Sequence, residues 1–145
     1  MDVSHGAQFA RMLVETFDAM TREVIEELTA AGHAGLTVSN ELAMEAIDDG
    51  AGTAASLARR LGVSRQAAAK TITTLEGLGY VERAADTDDA RRKSLRITTR
   101  GREAIAIGSS AFERIRVRWE SAVGADRAAE TEEALRTLRD DIAGS

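Results

Sequence analysis

A mainly α-helical fold with one small two-stranded β-wing is predicted by three observations. Apolar residues recur at steps of three and four through most of the 145 residues, proline is absent so that nothing forbids long helices, and the helical period is lost only between about residues 80 and 98. The length leaves room for one compact core. Hydrophobic residues at 43% and charged residues at 30% make a foldable, soluble composition rather than a disordered one. Cysteine is absent, which excludes disulfides, thiolate metal sites and cysteine nucleophiles. No window reaches the roughly 18 uninterrupted apolar residues of a membrane span. The first residues show no basic run followed by an apolar stretch, so no secretory signal and a cytoplasmic location are expected.

From residue 7 to about 30, Phe9, Leu13, Phe17, Met20, Val24 and Leu28 form one stripe of a long amphipathic helix. At 1.5 Å per residue it spans about 36 Å, more than a small domain needs to cover its own core, so part of the stripe is expected to pack on something else. Gly32 and Gly35 end it. A second helix runs from about Val38 to Asp48, capped by Thr37 or Ser39, with Leu42, Ala43, Ala46 and Ile47 on its apolar side. Thr53 caps a short third helix with Leu57, Ala58 and Leu61 inward, and Gly62 supplies its left-handed stop. Ser64 caps a fourth, which buries Ala68, Ile72 and Leu75 and ends at Gly77 or Gly79. Two helices joined by about three residues with a glycine have the spacing of a helix-turn-helix, and Ala58, Ala67 and Ala68 are small enough for the axes to cross closely. Beyond Gly79, Tyr80–Ala84 and the alternating Ser94–Thr98 are strand candidates. Ala85–Lys93 is then the charged tip of a hairpin, and a hairpin in this place is a wing. Thr98 or Thr99 caps a long helix from about Arg100 to Val123 with Ile105, Phe112, Ile115 and Trp119 inward. Gly124 breaks it before a last helix carrying Leu135, Leu138 and Ile142.

The net charge of −5 conceals a segregation. Residues 53–102 hold eleven Lys and Arg against five Asp and Glu, a net +6, while residues 1–52 carry −8 and residues 103–145 carry −3. A basic helix-turn-helix and wing between acidic helices is the electrostatic footprint of a duplex-DNA binder, because phosphates attract the middle and repel the flanks.

These residues give the chain a resemblance to the MarR (multiple antibiotic resistance regulator) family of winged helix-turn-helix transcription regulators. It rests on Gly35–Leu36–Thr37, on Leu57–Ala58 with Leu61–Gly62–Val63–Ser64, and on Leu75–Glu76 with the run Leu78 to Arg83. Most diagnostic is the run Asp86 to Arg91 leading into Ile97–Thr98–Thr99–Arg100–Gly101, similar to the family's wing signature with Ile97 in place of leucine. Ala90 departs from the basic residue that members often carry there, and the helix Ser64–Leu75 is rich in alanine and short of long polar side chains. The resemblance implies a homodimer whose N- and C-terminal helices, 1–35 and 100–145, form a dimerisation region around a DNA-binding domain at 36–99. It implies a repressor on a pseudo-palindromic operator, half-sites about one helical turn apart, relieved by a small apolar or aromatic effector. The missing cysteines exclude the family's thiol-oxidation branch, and two histidines argue against its metal-sensing branch.

With residues 68, 72 and 75 inward, Arg65, Gln66, Ala69, Lys70 and Thr73 share the outward face of the fourth helix. Arg can pair with guanine and Gln with adenine, while Lys70 or Ser64 can hold phosphate. On the wing, the resemblance implies that Arg91 enters the minor groove with Asp89 holding the loop, and Arg92 and Lys93 add positive charge. The plainer alternatives are a solvated helix face and a loop whose opposite charges merely pair. A winged-helix module that binds protein without specific DNA binding is the rival function. The acids Asp86, Asp88 and Asp89 do not make a calcium loop, which would need Gly at Arg91 and Glu at Ile97. Gly77–Leu78–Gly79 follows a helix and precedes a strand, the reverse of a phosphate loop. His5 and His33 are expected at surface or cap positions. No catalytic constellation follows from spacing, so no enzyme, metal site or cofactor is expected.

Overall fold

The computed structural model describes residues 4–85 and 93–144. In chain order the elements are α1 (His5–Ala30), α2 (Val38–Asp48), α3 (Ala54–Leu61), α4 (Arg65–Gly77), β1 (Val81–Ala85), β2 (Lys93–Ile97), α5 (Thr99–Val123) and α6 (Ala125–Ala143). Contacts divide the chain into two compact units, 1–109 and 110–145. The fold is thus mainly helical with one two-stranded antiparallel sheet, as expected.

The helix starts in the first unit follow from single hydroxyls. Ser4, Thr37, Thr53 and Ser64 each accept a backbone N–H in the first turn of α1, α2, α3 and α4. Asn40 and Ser56 reciprocate at Thr37 and Thr53, closing two capping boxes. Gly62 stops α3 at φ 68°, a conformation a β-carbon disfavours. Thr98 caps α5, its hydroxyl accepting the Gly101 N–H at 3.1 Å while donating to the Gly79 carbonyl at 2.7 Å.

The core of this unit joins Val24 and Leu28 of α1, Met44 and Ile47 of α2, Leu57 of α3, Ile72 and Leu75 of α4, and Leu95 and Ile97 of β2. Leu61 is half-buried rather than inward, and Leu42 is exposed. The buried side of α2 instead takes in Asn40 and Glu41. Ala58 and Ala68 are buried, while Ala67 is exposed. The strands pair one residue nearer the tip than the sequence suggests, Val81 opposite Ile97 and Ala85 opposite Lys93. Tyr80 lies outside the strand because it serves the core, fully buried at the root of the sheet.

The seam of α5 in this unit differs from expectation. Gly101, Ala104 and Gly108 are buried at steps of three and four, and Ile105 is only half-buried beside them. Close approach is the reason: a methyl group added to Gly101 would lie 2.6 Å from Ile97 Cγ2 and overlap the Tyr80 carbonyl. Gly101→Ala is therefore expected to destabilise the protein by about 1–3 kcal/mol despite alanine's better helix propensity. Urea unfolding against the wild type checks this, and an unchanged midpoint would contradict the packing.

In the second unit, Ala111 of α5 and Ala128 of α6 are buried, whereas Phe112, Ile115 and Trp119 are half-buried rather than inward. Arg116 links the two helices, bonding Glu120 at 2.6 Å and also Glu132. Those bonds hold Glu132 below the usual carboxylate range and raise the Arg116 guanidinium. Leu135 and Ile142 are exposed on α6. So is the first half of α1, where every residue from Ser4 to Ala19 faces solvent, including Phe9, Met12, Leu13, Val14 and Phe17.

Candidate nucleic-acid interface

The interface is built on the turn between α3 and α4. Ser64 must cap α4, so the helix axis is fixed at its first residue, and the burial of Ala68, Ile72 and Leu75 fixes its rotation. Arg65, Gln66, Ala69, Lys70 and Thr73 are then all exposed, as their spacing predicts. Ser64 is exposed at the turn, its Oγ accepting the Ala67 N–H at 3.0 Å, which leaves its hydroxyl hydrogen free for a phosphate oxygen. Thr73 differs. Its hydroxyl donates to the Ala69 carbonyl at 3.0 Å, as Thr71 and Thr74 donate to theirs, so it presents a methyl group and an acceptor rather than a donor.

Ion pairing sorts the basic residues. Arg60 is held by Asp49 at 2.7 Å, Arg83 by Glu76 at 3.1 Å, Arg96 by Glu82 at 2.7 Å and Arg102 by Asp48 at 3.1 Å. Arg65, Lys70 and Arg59 have no carboxylate partner among the described residues. Among the described basic residues of 53–102, Arg59, Arg65 and Lys70 on α3 and α4 thus stand without an acid, and Arg100 bonds the Tyr80 hydroxyl instead. Arg59 is exposed in the last turn of α3, next to Arg60 in sequence and of the same charge. Only the position of Asp49 separates them.

Asp89, Arg91 and Arg92 lie outside the described residues. Lys93 is the first residue of β2, and its backbone pairs with Ala85. At the root of the sheet stands a buried polar cluster. His33, expected at the surface, is 2% exposed, and its Nδ1 lies 2.9 Å from the Tyr80 hydroxyl. That hydroxyl also accepts from Arg100 at 3.2 Å, and the guanidinium sits 4.8 Å from the Tyr80 ring centroid. Both bonds are made when Tyr80 donates to Nδ1, which puts the proton of a neutral imidazole on Nε2, 3.6 Å from Glu103. His33 follows two helix-ending residues, so its local sequence looks like a loop, and its partner is 47 positions away. His5 is exposed, as expected.

Between α1 and α2 lies a groove of about 780 Å³, walled by Ile25, Leu36 and Val38 and edged by Asp18, Arg22 and Glu26. Among the described residues no cluster of three or more His, Asp or Glu could hold a metal, and no helix is long and apolar enough to cross a membrane.

The sequence profile of the MarR family matches residues 34–92. No curated protein matches the chain significantly. Similar solved structures include FabT of Streptococcus pneumoniae in complex with DNA, 18% identical over 94% of this chain and 96% of that one, with a TM-score of 0.77. The transcriptional repressor CouR bound to a 23-mer DNA duplex is 20% identical over 94% and 92%, with a TM-score of 0.73. A MarR family protein of Mycobacterium tuberculosis in complex with p-aminosalicylic acid is 24% identical over 89% and 96%, with a TM-score of 0.63. These likenesses are of fold and extend over nearly the whole chain. The profile match falls on α2, α3, α4 and the strand that follows, and makes this segment similar to the winged helix-turn-helix of the MarR family.

Proposed function

We propose that the chain is a sequence-specific DNA-binding regulator, acting as a homodimeric repressor that a small molecule releases. The observation that carries this reading is the outward face of α4, where Arg65 and Lys70 stand without carboxylate partners beside Gln66 and Ser64. Arg65 and Gln66 suit base edges in the major groove, and Lys70 and Ser64 suit phosphates. On the wing, Arg91 would extend the contact toward the minor groove with Asp89 holding the loop, and Arg92 and Lys93 would add positive charge. The paired arginines need no such role. Solved relatives of this fold in complex with DNA support the reading.

The exposed stripe from Phe9 to Phe17 supports dimerisation through residues 1–35 and 100–145, with the winged domain at 36–99 left for DNA. Large apolar side chains at that density mark an interaction surface rather than a solvated face. For the effector, the groove between α1 and α2 offers apolar walls and, in Arg22, a cation for a carboxylate, which suits a small aromatic acid. A relative that binds p-aminosalicylic acid supports that class. The effector releases DNA only if it binds the two states unequally.

The test is the affinity for duplex DNA as a function of salt. A steep dependence is expected, with Lys70→Ala or Arg91→Ala lowering the logarithmic slope by about one unit each if the residue neutralises one phosphate. A flat response would sink the DNA reading and favour a protein-binding module. Sedimentation tests assembly separately, since a monomer at micromolar concentration contradicts the dimer.

A further inference from the structure

Glu41 is the one acid among the described residues that the fold buries, with 2% of its surface exposed on the inner side of α2. Neither carboxyl oxygen has a hydrogen-bond partner among those residues. It faces Gly108 of α5 so closely that a methyl group on that glycine would lie 2.9 Å from Glu41 Cδ. No cation among the described residues is paired with it. Arg102 of α5 is paired with Asp48, Arg60 of α3 with Asp49, and Arg96 of β2 with Glu82. Glu103 of α5 is turned to His33, Arg65 and Lys70 of α4 face solvent, and α1 contributes Val24 and Leu28 to the core. The charge that does reach it is that of Glu45, on its own helix and of the same sign.

We propose that Glu41 is a proton-operated latch between α2 and α5: as the neutral acid it stays buried against Gly108 and holds the helices together, and as the carboxylate it leaves and the contact opens. An ionised carboxylate with no hydrogen bond and no counter-charge is strongly disfavoured when buried, and a rearrangement that brings it to solvent relieves that cost. The neutral acid carries a much smaller penalty, that of an unpaired polar group, and Gly108 leaves room for it where any side chain would not. Burial, reinforced by Glu45, pushes the Glu41 pKa up to about 7, so the latch changes state near neutrality. Since α2 packs on α3 and α4, opening would alter the seat of the helices that carry Arg65 and Lys70. That consequence rests on the DNA reading of α4, whereas the latch itself does not.

Carboxyl-carbon NMR of the ¹³C-glutamate-labelled full chain, with the signal assigned by Glu41→Gln, measures the titration. Amide hydrogen exchange in α2 and in residues 101–109 of α5, corrected for the intrinsic effect of pH, measures opening. One glutamate titrating near 7 is expected, together with exchange faster by about tenfold or more at about pH 8.5 than at about pH 6 in the wild type but not in Glu41→Gln. Titration of Glu41 in the ordinary carboxylate range would overturn the latch, as would a Gln variant that keeps the wild-type pH response. Gly108→Ala retains the acid but takes its place, so Glu41 should return to ordinary titration there; a value still near 7 would also overturn it. Failure to bind duplex at either pH would count against the DNA reading and leave these readouts intact.

Discussion

Tyr80→Ala is expected to lower the unfolding free energy by about 3–5 kcal/mol, the range for emptying a large buried aromatic site. Tyr80 is fully buried and stands where three segments meet. Its backbone N–H donates to the Leu75 carbonyl and its carbonyl accepts from the Thr98 N–H, both at 3.0 Å, so it links the end of α4 to the start of α5. Its hydroxyl takes in His33 and Arg100. Tyr80→Phe keeps the ring and orphans those two groups, so its cost should be smaller, about 1–3 kcal/mol. Urea unfolding of both variants at one pH decides the matter. Equal losses would mean that the hydroxyl network, not the packed ring, dominates, and a loss below about 1 kcal/mol for Tyr80→Ala would mean that the site collapses freely. A total stability of about 5–15 kcal/mol makes the alanine variant a severe lesion.

The second large effect is on pH. The ordinary carboxylate value is 4.5, and Glu41 is raised to about 7 in the folded chain. Between those values the folded protein holds a proton that the unfolded chain has released. Its contribution is therefore fully present below pH 4.5, lost progressively as pH rises to 7, and flat above. The difference amounts to about 3 kcal/mol, at 1.36 kcal/mol per unit. Glu132 acts in the opposite sense, since a carboxyl held low by Arg116 loses its contribution only as pH falls through the acid range. Thermal melts from about pH 5 to about pH 8 should show wild-type stability falling toward Glu41→Gln, whose curve is flatter. Parallel curves for the two proteins would refute the assignment.

What the residues disclosed in advance was whatever is local. A hydroxyl before an apolar repeat marks each start at Thr37, Thr53 and Ser64, and Gly62 marks a stop, because a cap is made within one turn of chain. The outward face of α4 followed from its inward one, so Arg65, Gln66, Lys70 and Thr73 were legible without a structure. Pairing across elements was not: nothing near Arg60 or Arg96 in sequence says that Asp49 and Glu82 engage them. Burial of polar groups was hidden for the same reason. Glu41 in the first turn of α2 looks like an ordinary complement to the helix dipole, and only the approach of α5 reveals its confinement. On α5 itself, apolar spacing points to Ile105, while contact is made by glycine and alanine, since the nearest approach of two backbones selects against bulk.

The uncovered half of α1 bears on how this protein comes into being. Fifteen consecutive residues of α1, His5 to Ala19, are helical and exposed. Isolated helices of about that length are marginal in water. In the proposed dimer, ordering this half and joining a second copy would be one event, with part of the association energy spent on fixing the backbone. Helix content would then depend on protein concentration, and a newly made chain would complete its first helix only on meeting another.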